Sequence, residues 1–146
     1  MSPPPSHPTH KQILTPGNVL LLFCDFTTPP KEKFLLLVSI NSGILFFLIN
    51  SKINDFKKDS PDLLESQVLL DKKTHPFLTH DSWIDCSKVI RAFDAAEVFQ
   101  QINSKLGSLK GAITNESRKK IRAAVNDSRL LEKRFKSAII DELTDC

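Results

Sequence analysis

Glycine and cysteine are scarce in this sequence, and each shortage excludes a class of protein. The chain has only four Gly, and none forms a phosphate-binding loop, a Rossmann fingerprint or a G-x-S-x-G nucleophile elbow. Nucleotide-driven chemistry is therefore not expected. The three Cys, at positions 24, 86 and 146, are odd in number and unevenly spaced, so they imply neither a disulfide framework nor a zinc site. This cysteine usage favours a reducing compartment, and we expect a cytoplasmic protein.

The amino-terminal segment lacks the apolar stretch of a secretory signal. It reads MSPPPSHPTHKQ, and its content of Pro, Ser and His is typical of a disordered arm. We predict such an arm over residues 1–14 and a single domain over residues 15–146, since 146 residues correspond to one domain. With 40% hydrophobic and 25% charged residues, the chain can bury a core without disulfides or a metal, and we expect no cofactor.

One long uncharged segment is present, residues 34–51, which reads FLLLVSINSGILFFLINS. A membrane-spanning helix needs about 20 mostly apolar residues, so one hypothesis is a small membrane protein anchored by this segment. However, Asn41-Ser42-Gly43 marks a turn at its centre, and each flank has the length and composition of a strand. We therefore predict a buried β-hairpin with Lys33 and Lys52 at its open end, and no contact with a membrane.

The rest of the chain divides into a strand-rich part and a helical part. The turn signals and apolar runs predict strands over residues 19–26 and 67–71, a further strand within residues 78–89 around residues 83–86, and a polar surface excursion over residues 54–66. After Ala92 the apolar period becomes helical, and Asp94 and Thr114 begin two predicted helices. A further helix presents Leu131, Phe135 and Ile139 on one stripe. The predicted architecture is α+β, a small β-barrel followed by C-terminal helices.

Positive charge is concentrated near the C-terminus. Residues 1–90 carry nine Lys or Arg and nine Asp or Glu, whereas residues 91–146 carry eleven against eight. Residues 118–136 alone hold eight basic side chains and two acidic ones. Such a stretch either attracts nucleic acid or an acidic partner, or forms a solvated helix face.

The segment HPFLTHDSWID and the cysteine after it contain side chains with several possible roles. Four of them have types that ligate metal ions: His75, His80, Asp81 and Asp85. Their spacing matches no two-ligand motif of defined geometry, and turn residues explain them equally well, so we predict no metal site. Cys86 is either a nucleophile or a buried strand thiol. Trp83 is either a core residue or a platform for a base or a protein partner.

The open end of the predicted hairpin is the more interesting location. Cleavage of RNA without a metal requires deprotonation of the 2′-hydroxyl, stabilisation of charge on the phosphate and protonation of the leaving 5′-oxygen. Lysines such as Lys33, the hydroxyl of Ser51, the amide of Asn50 and a carboxylate such as Asp85 can fill those roles. The other interpretation is that the lysines at strand ends are simply solvated.

The order of several segments resembles the MazF/PemK-like (CcdB/Kid-type) toxins of toxin–antitoxin systems. Residues 15–19, TPGNV, resemble the R-G-D-[VI] opening of that family, and residues 31–39, KEKFLLLVS, resemble its x-x-x-R-P-[VA]-L-V-[VI]-S strand. Residues 48–51, LINS, fall where the family has an apolar strand that ends in Thr-Ser or Thr-Ala. Residues 81–89, DSWIDCSKV, resemble its late strand, and the closing helices also match, so the resemblance covers roughly residues 15–140.

The resemblance implies a fold, an activity and partners. The fold is an SH3-like barrel with a C-terminal helix, usually a homodimer. The activity is metal-independent cleavage of single-stranded RNA by attack of the 2′-hydroxyl on the phosphodiester, and the protein partner is an antitoxin that threads into the dimer groove. By position, the implied catalytic residues are Lys33, Ser51, Asp85 and Lys88. The implied substrate-binding residues are Asn50, Ser87 and Trp83.

The sequence departs from the family pattern at the implied site. Lys33 replaces the family's arginine, and lysine offers a point charge where arginine offers a bidentate fork. Asn50 stands at the threonine position, although Ser51 retains a hydroxyl. The family's acidic residue falls on Ser87, with Asp85 two residues earlier. The alternative hypothesis is therefore a catalytically inactive module of the same fold that binds a protein or nucleic acid through Trp83 and the basic helices.

Overall fold

The computed structural model describes residues 9–146, which form an α+β fold built on one antiparallel sheet. The strands are β1 (Asn18–Cys24), β2 (Lys31–Ser39), β3 (Leu45–Asn50), β4 (Gln67–Leu70), β5 (Ser82–Asp85) and β6 (Ser108–Ala112). The helices are α1 (His10–Ile13), α2 (Asp55–Lys58), α3 (Pro61–Glu65), α4 (Ala95–Asn103), α5 (Asn115–Asp127) and α6 (Lys133–Glu142). The strand order is β4-β5-β3-β2-β1-β6, and the sheet curls into a half-barrel.

The uncharged segment forms the central hairpin of this sheet, as predicted. Strands β2 and β3 pair in antiparallel register, with Leu36 opposite Phe47, and Gly43 in the connection has a φ of 90°. A positive φ of this size is the conformation that glycine adopts without a steric cost. The hypothesis of a membrane helix over residues 34–51 is therefore wrong. Among residues 9–146, no helix has the length and apolar content needed to cross a membrane.

The strands of the hairpin are buried on both faces of the sheet. Leu35, Leu36, Leu37 and Val38 are consecutive and all have no exposed surface. Successive side chains of a strand point to opposite faces, so the apolar run supplies two cores at once. One core lies between the sheet and helices α5 and α6, which define the α5–α6 face. The other contains residues of α1 and α4 and defines the α4 face.

The C-terminal helices follow the predicted signals. The Thr114 side chain accepts a hydrogen bond from the backbone N–H of Ser117 and caps α5, which ends at Asp127. The stripe of α6 places Phe135 and Ile139 in the core of the α5–α6 face. Each of these large side chains contributes about 1.5–3 kcal/mol on burial. These contacts attach both helices to the sheet.

The boundary predicted for the amino-terminal arm differs from the structure. Most of the arm lies outside the described residues, but His10–Ile13 forms the short helix α1, which Thr9 caps. Ile13 is buried in the core of the α4 face, and the His10 ring stacks on Phe99 of α4 with 3.6 Å between ring centroids. The apolar Ile13-Leu14 pair explains the difference, since burial of these side chains holds the helix on the sheet.

One member of the basic stretch points inwards. Arg118 is buried, and its Nη1 donates hydrogen bonds to the carbonyl oxygens of Pro16 at 3.1 Å and Thr144 at 3.0 Å. The side chain therefore ties the loop before β1 to the segment after α6. It is not part of a surface that could attract nucleic acid.

Candidate functional site

Lys33 and Asn50 meet at the open end of the hairpin, on the α4 face. The Lys33 ammonium donates a hydrogen bond of 2.8 Å to Oδ1 of Asn50. Partial burial lowers the pKa of Lys33, the positive charges of Lys31 and Lys57 lower it further, and only Cys24 opposes this shift. An ammonium with a lowered pKa is a stronger acid than that of an ordinary lysine. The hairpin thus positions a cation that can also donate a proton.

Asp85, at the end of β5, lies in a saturated set of polar contacts. Its Oδ2 is 3.0 Å from Nζ of Lys57, and both side chains are mostly buried. Its Oδ1 accepts from Nε2 of Gln67 at 3.0 Å and from both the backbone N–H and the hydroxyl of Ser87. Burial raises the pKa of Asp85, but hydrogen bonds from Ser87 and Lys57 outweigh it, and the pKa is lowered overall. The carboxylate is therefore a weak base that anchors α2 to the sheet.

A groove of about 250 Å³ opens beside the hairpin end. We call it the Lys33 groove, and its polar lining residues are Lys31, Glu32, Lys33, Ser51, Thr79, His80 and Ser82. Its apolar walls come from β1, β2 and β3. The residues that line the groove thus include cations, hydroxyls, a carboxylate and an imidazole from three separate segments of the sequence.

The contacts of His80 select one tautomer of its ring. Nδ1 lies 3.1 Å from the backbone oxygen of Asp81, and a carbonyl oxygen can only accept, so Nδ1 carries the proton. The Ser82 hydroxyl donates to the backbone oxygen of His80 at 3.1 Å, which leaves its own oxygen facing Nδ1 at 3.4 Å. Nε2 of the neutral ring is then the acceptor nitrogen. This is the form that a general base requires.

The structure brings some of the predicted site residues together and separates others. Lys33 and Asn50 are joined by a hydrogen bond, and Asn50 is opposite Trp83 in the pairing of β3 with β5. Ser51 shares the Lys33 groove, whereas Asp85 is held by Lys57. Ser87 and Lys88 line another groove next to Phe135, so Lys88 is not in the Lys33 groove. Lys33 and Lys88, which the resemblance implies to be catalytic residues of one site, therefore line different grooves.

Sequence reasoning missed two residues that shape this region, Lys57 and Gln67. Lys57 belongs to the polar excursion, where a lysine reads as a solvated side chain, and only the helical turn of α2 brings it to Asp85. Gln67 is opposite Asp85 in the pairing of β4 with β5. In the sequence, His80 has only the side-chain type of a possible metal ligand. No pattern in the sequence marks it as a neighbour of Lys33.

Other candidates from the sequence are structural. His75 is buried, where its Nε2 accepts the backbone N–H of Thr114 at 3.2 Å. Cys86 is buried as well, and burial raises the pKa of its thiol well above the ordinary value, so it is a structural thiol. In the part of the chain that the structure describes, no three His, Cys, Asp or Glu side chains group together as ligands for a metal ion.

Comparison of the chain with protein-family models, with curated proteins and with solved structures gives no match. The two polar arrangements around Lys33 and Asp85 are therefore the features of the molecule that indicate a function.

Proposed function

We propose that this protein is a MazF/PemK-like endoribonuclease that cleaves single-stranded RNA in the Lys33 groove without a metal ion. The observation that carries the proposal is that Lys33, Ser51 and His80 line one groove, with Lys31 beside them. These side chains supply an acid, a hydroxyl, a base and a second positive charge. The Lys33 ammonium donates to Asn50 on the α4 face, whereas Phe34 and Ile49 of the groove belong to the α5–α6 face, so the reaction requires Lys33 to release Asn50 and turn into the groove. The proposal includes what the resemblance implies: a PemK-like barrel, a homodimer, an antitoxin partner and a cytoplasmic location.

The proposed reaction uses each group once. Nε2 of His80 takes the proton of the 2′-hydroxyl, and the 2′-oxygen forms a bond to phosphorus. The bond from phosphorus to the 5′-oxygen breaks, and Lys33, whose pKa is lowered, gives its proton to that leaving oxygen. Lys31 and Ser51 stabilise the charge on the non-bridging phosphate oxygens. The products are a 2′,3′-cyclic phosphate and a 5′-hydroxyl.

Cleavage of a fluorescent single-stranded oligoribonucleotide tests this assignment. We expect His80→Gln and Lys33→Ala to lower the rate by about 10²–10⁴-fold each, the usual contribution of a general acid or base. Lys73→Ala, which removes an exposed lysine outside the groove, is the matched control and should cleave normally. An oligonucleotide with a 2′-O-methyl group at the scissile position should resist cleavage. Normal cleavage by the His80 and Lys33 variants would show that the chemistry lies elsewhere.

A second function is favoured by the contacts of Asp85 and Lys33. Asp85 accepts hydrogen bonds from Gln67 and Ser87 and is paired with Lys57, and the Lys33 ammonium already donates to Asn50. Groups held in this way suit a module that binds RNA without cleaving it. Two measurements distinguish the two functions. A catalytically inactive module binds the oligoribonucleotide and leaves it intact. Its expression in a bacterial host also does not arrest growth.

A further inference from the structure

A second groove lies between the segment that follows β5 and the residues at the start of α6. We call it the Phe135 groove; it has a volume of about 260 Å³ and is lined by Ser87, Lys88, Val89, Arg91, Leu130, Leu131, Glu132 and Phe135. Its apolar residues form the floor, since Phe135 is buried in the core of the α5–α6 face. Lys88 and Arg91 are exposed and lie at its rim.

Two arginines, Arg91 of this groove and Arg134 beside it in α6, lie against the same aromatic ring. The guanidinium carbon of Arg134 lies 4.5 Å from the centroid of Phe135, and that of Arg91 lies 5.4 Å from it. Cation–π contacts of this kind restrict a long side chain, so less conformational entropy is lost when it binds an anion. Arg134 also pairs with Glu132 at 2.9 Å. Within residues 9–146, Lys88 and Arg91 form no ion pair.

The Phe135 groove is connected to the candidate site through Ser87. Ser87 lines this groove and donates two hydrogen bonds to Asp85, which in turn is 3.0 Å from Lys57. The charge of Lys57 is close enough to lower the pKa of Lys33. Lys57 is paired with Asp85 and mostly buried, so the two grooves are linked through this ion pair and the hydrogen bonds of Ser87.

We infer that the Phe135 groove is a second binding site for single-stranded RNA, in which Lys88 and Arg91 each contact a phosphate. The choice of RNA as the ligand rests on the proposed function. Lys88 and Arg91 are exposed cations at the rim of the groove, and a polymer with a regular negative charge can place a phosphate on each of them. A strand that occupies both grooves gains affinity because the second contact becomes intramolecular.

Binding of a non-cleavable RNA separates this site from catalysis. The probe is a fluorescein-labelled oligouridylate with 2′-O-methyl groups throughout, and the measurement is fluorescence anisotropy over a range of salt concentrations. We expect the double variant Lys88→Ala/Arg91→Ala to bind roughly tenfold more weakly than wild type. The slope of log affinity against log salt should become shallower by about 1.4, since each phosphate contact on a single strand contributes about 0.7.

The matched control is Lys73→Ala/Lys110→Ala, which removes two exposed lysines outside both grooves. An unchanged affinity and slope for the Lys88/Arg91 variant, or an equal loss in the control, would overturn the inference. It would also be overturned if a Glu-rich peptide bound wild type more tightly than the RNA did and lost its affinity in the Lys88/Arg91 variant. Because the probe cannot be cleaved, a wild-type protein that fails to cleave RNA would refute the proposed function and leave this binding result intact.

Discussion

The guanidinium of Arg118 fills the space that a side chain at Gly17 would occupy. A Cβ atom built at Gly17 would lie 2.1 Å from Nη2 of Arg118, and Gly17 has a φ of 102°. The buried guanidinium thus sits directly against a backbone position that has no side chain. Its Nη1 at the same time satisfies the carbonyl oxygens of Pro16 and Thr144. This contact joins the loop before β1, helix α5 and the segment after α6.

We predict that Gly17→Ala destabilises the fold because it combines a positive φ with a steric clash against a buried charge. The left-handed conformation alone costs a non-glycine residue about 1–3 kcal/mol. The free energy of unfolding, measured by urea denaturation, should fall by at least that amount. Gly43→Ala is the comparison, since Gly43 also has a positive φ but no atom lies within 4 Å of a Cβ built there. Equal losses for the two variants would mean that the clash with Arg118 contributes nothing.

Removal of the partner of Asp85 tests the role assigned to Lys57. Lys57→Ala leaves a mostly buried carboxylate with hydrogen bonds from Gln67 and Ser87 alone, and we expect a loss of about 1–3 kcal/mol in the free energy of unfolding. Lys58→Ala is the control, because its pair with Asp55 is exposed, and it should change stability by less than about 0.5 kcal/mol. If both variants are equally stable, the Lys57 ion pair does not anchor α2.

The lowered pKa of Asp85 predicts a specific dependence of stability on pH. A carboxyl group whose pKa is lower in the folded state stabilises the protein above its unfolded pKa, about 3.9 for Asp. That contribution disappears as the pH falls through the lower pKa of the folded state. The stability difference between wild type and Asp85→Asn should therefore be greatest near neutral pH and should shrink below about pH 4. Urea denaturation from pH 7 to pH 3 measures it, and a difference that grows towards acid would contradict the cause given for the shift.

Glu142 of α6 binds the turn of the central hairpin. Its Oε1 accepts the backbone N–H groups of Ile40 at 2.8 Å and Asn41 at 3.1 Å, and its Oε2 accepts the hydroxyl of Ser39. Hydrogen bonds to a charged acceptor contribute about 1.5–3 kcal/mol, so Glu142→Ala should lower the free energy of unfolding by that order. Asp141→Ala, at an exposed neighbouring position, should have little effect. Similar melting temperatures for the two variants would show that the turn does not depend on α6.

The central hairpin and the C-terminal helices were predictable because their signals are local. Asn41-Ser42-Gly43 interrupts an apolar run, and the Thr114 cap begins a helix whose apolar spacing continues for three turns. Strand β6 was not predicted, since its sequence SLKGA has little apolar content and its partner is β1, far away in the chain. Arg118 was read as part of a basic surface. Only the packing of α5 against the loop before β1 turns it inwards.

The candidate site was predictable only in part, because some of its contacts are local in the sequence and others depend on how distant segments pack. Lys33 and Asn50 belong to the two strands of one hairpin, so their proximity follows from the register. Lys88 lies beyond the end of β5, where strand alternation no longer determines on which side a residue lies. The contact between Lys57 and Asp85 depends on how an irregular segment folds back over the sheet.

The position of β1 also determines when the sheet can be completed during synthesis. Its first neighbour, β2, follows it directly, but β6 pairs with it from residues 108–112, and the helices that cover the α5–α6 face come later still. At roughly 5–20 residues per second, a ribosome needs on the order of 5–20 s to proceed from β3 to the end of α6. Until residues 108–112 have been made, β1 has an unpaired edge, and until α6 has been made, the nascent hairpin lacks the helices that cover one of its apolar faces. Both features promote aggregation. The growing chain is therefore expected to need protection by chaperones until α6 has been made.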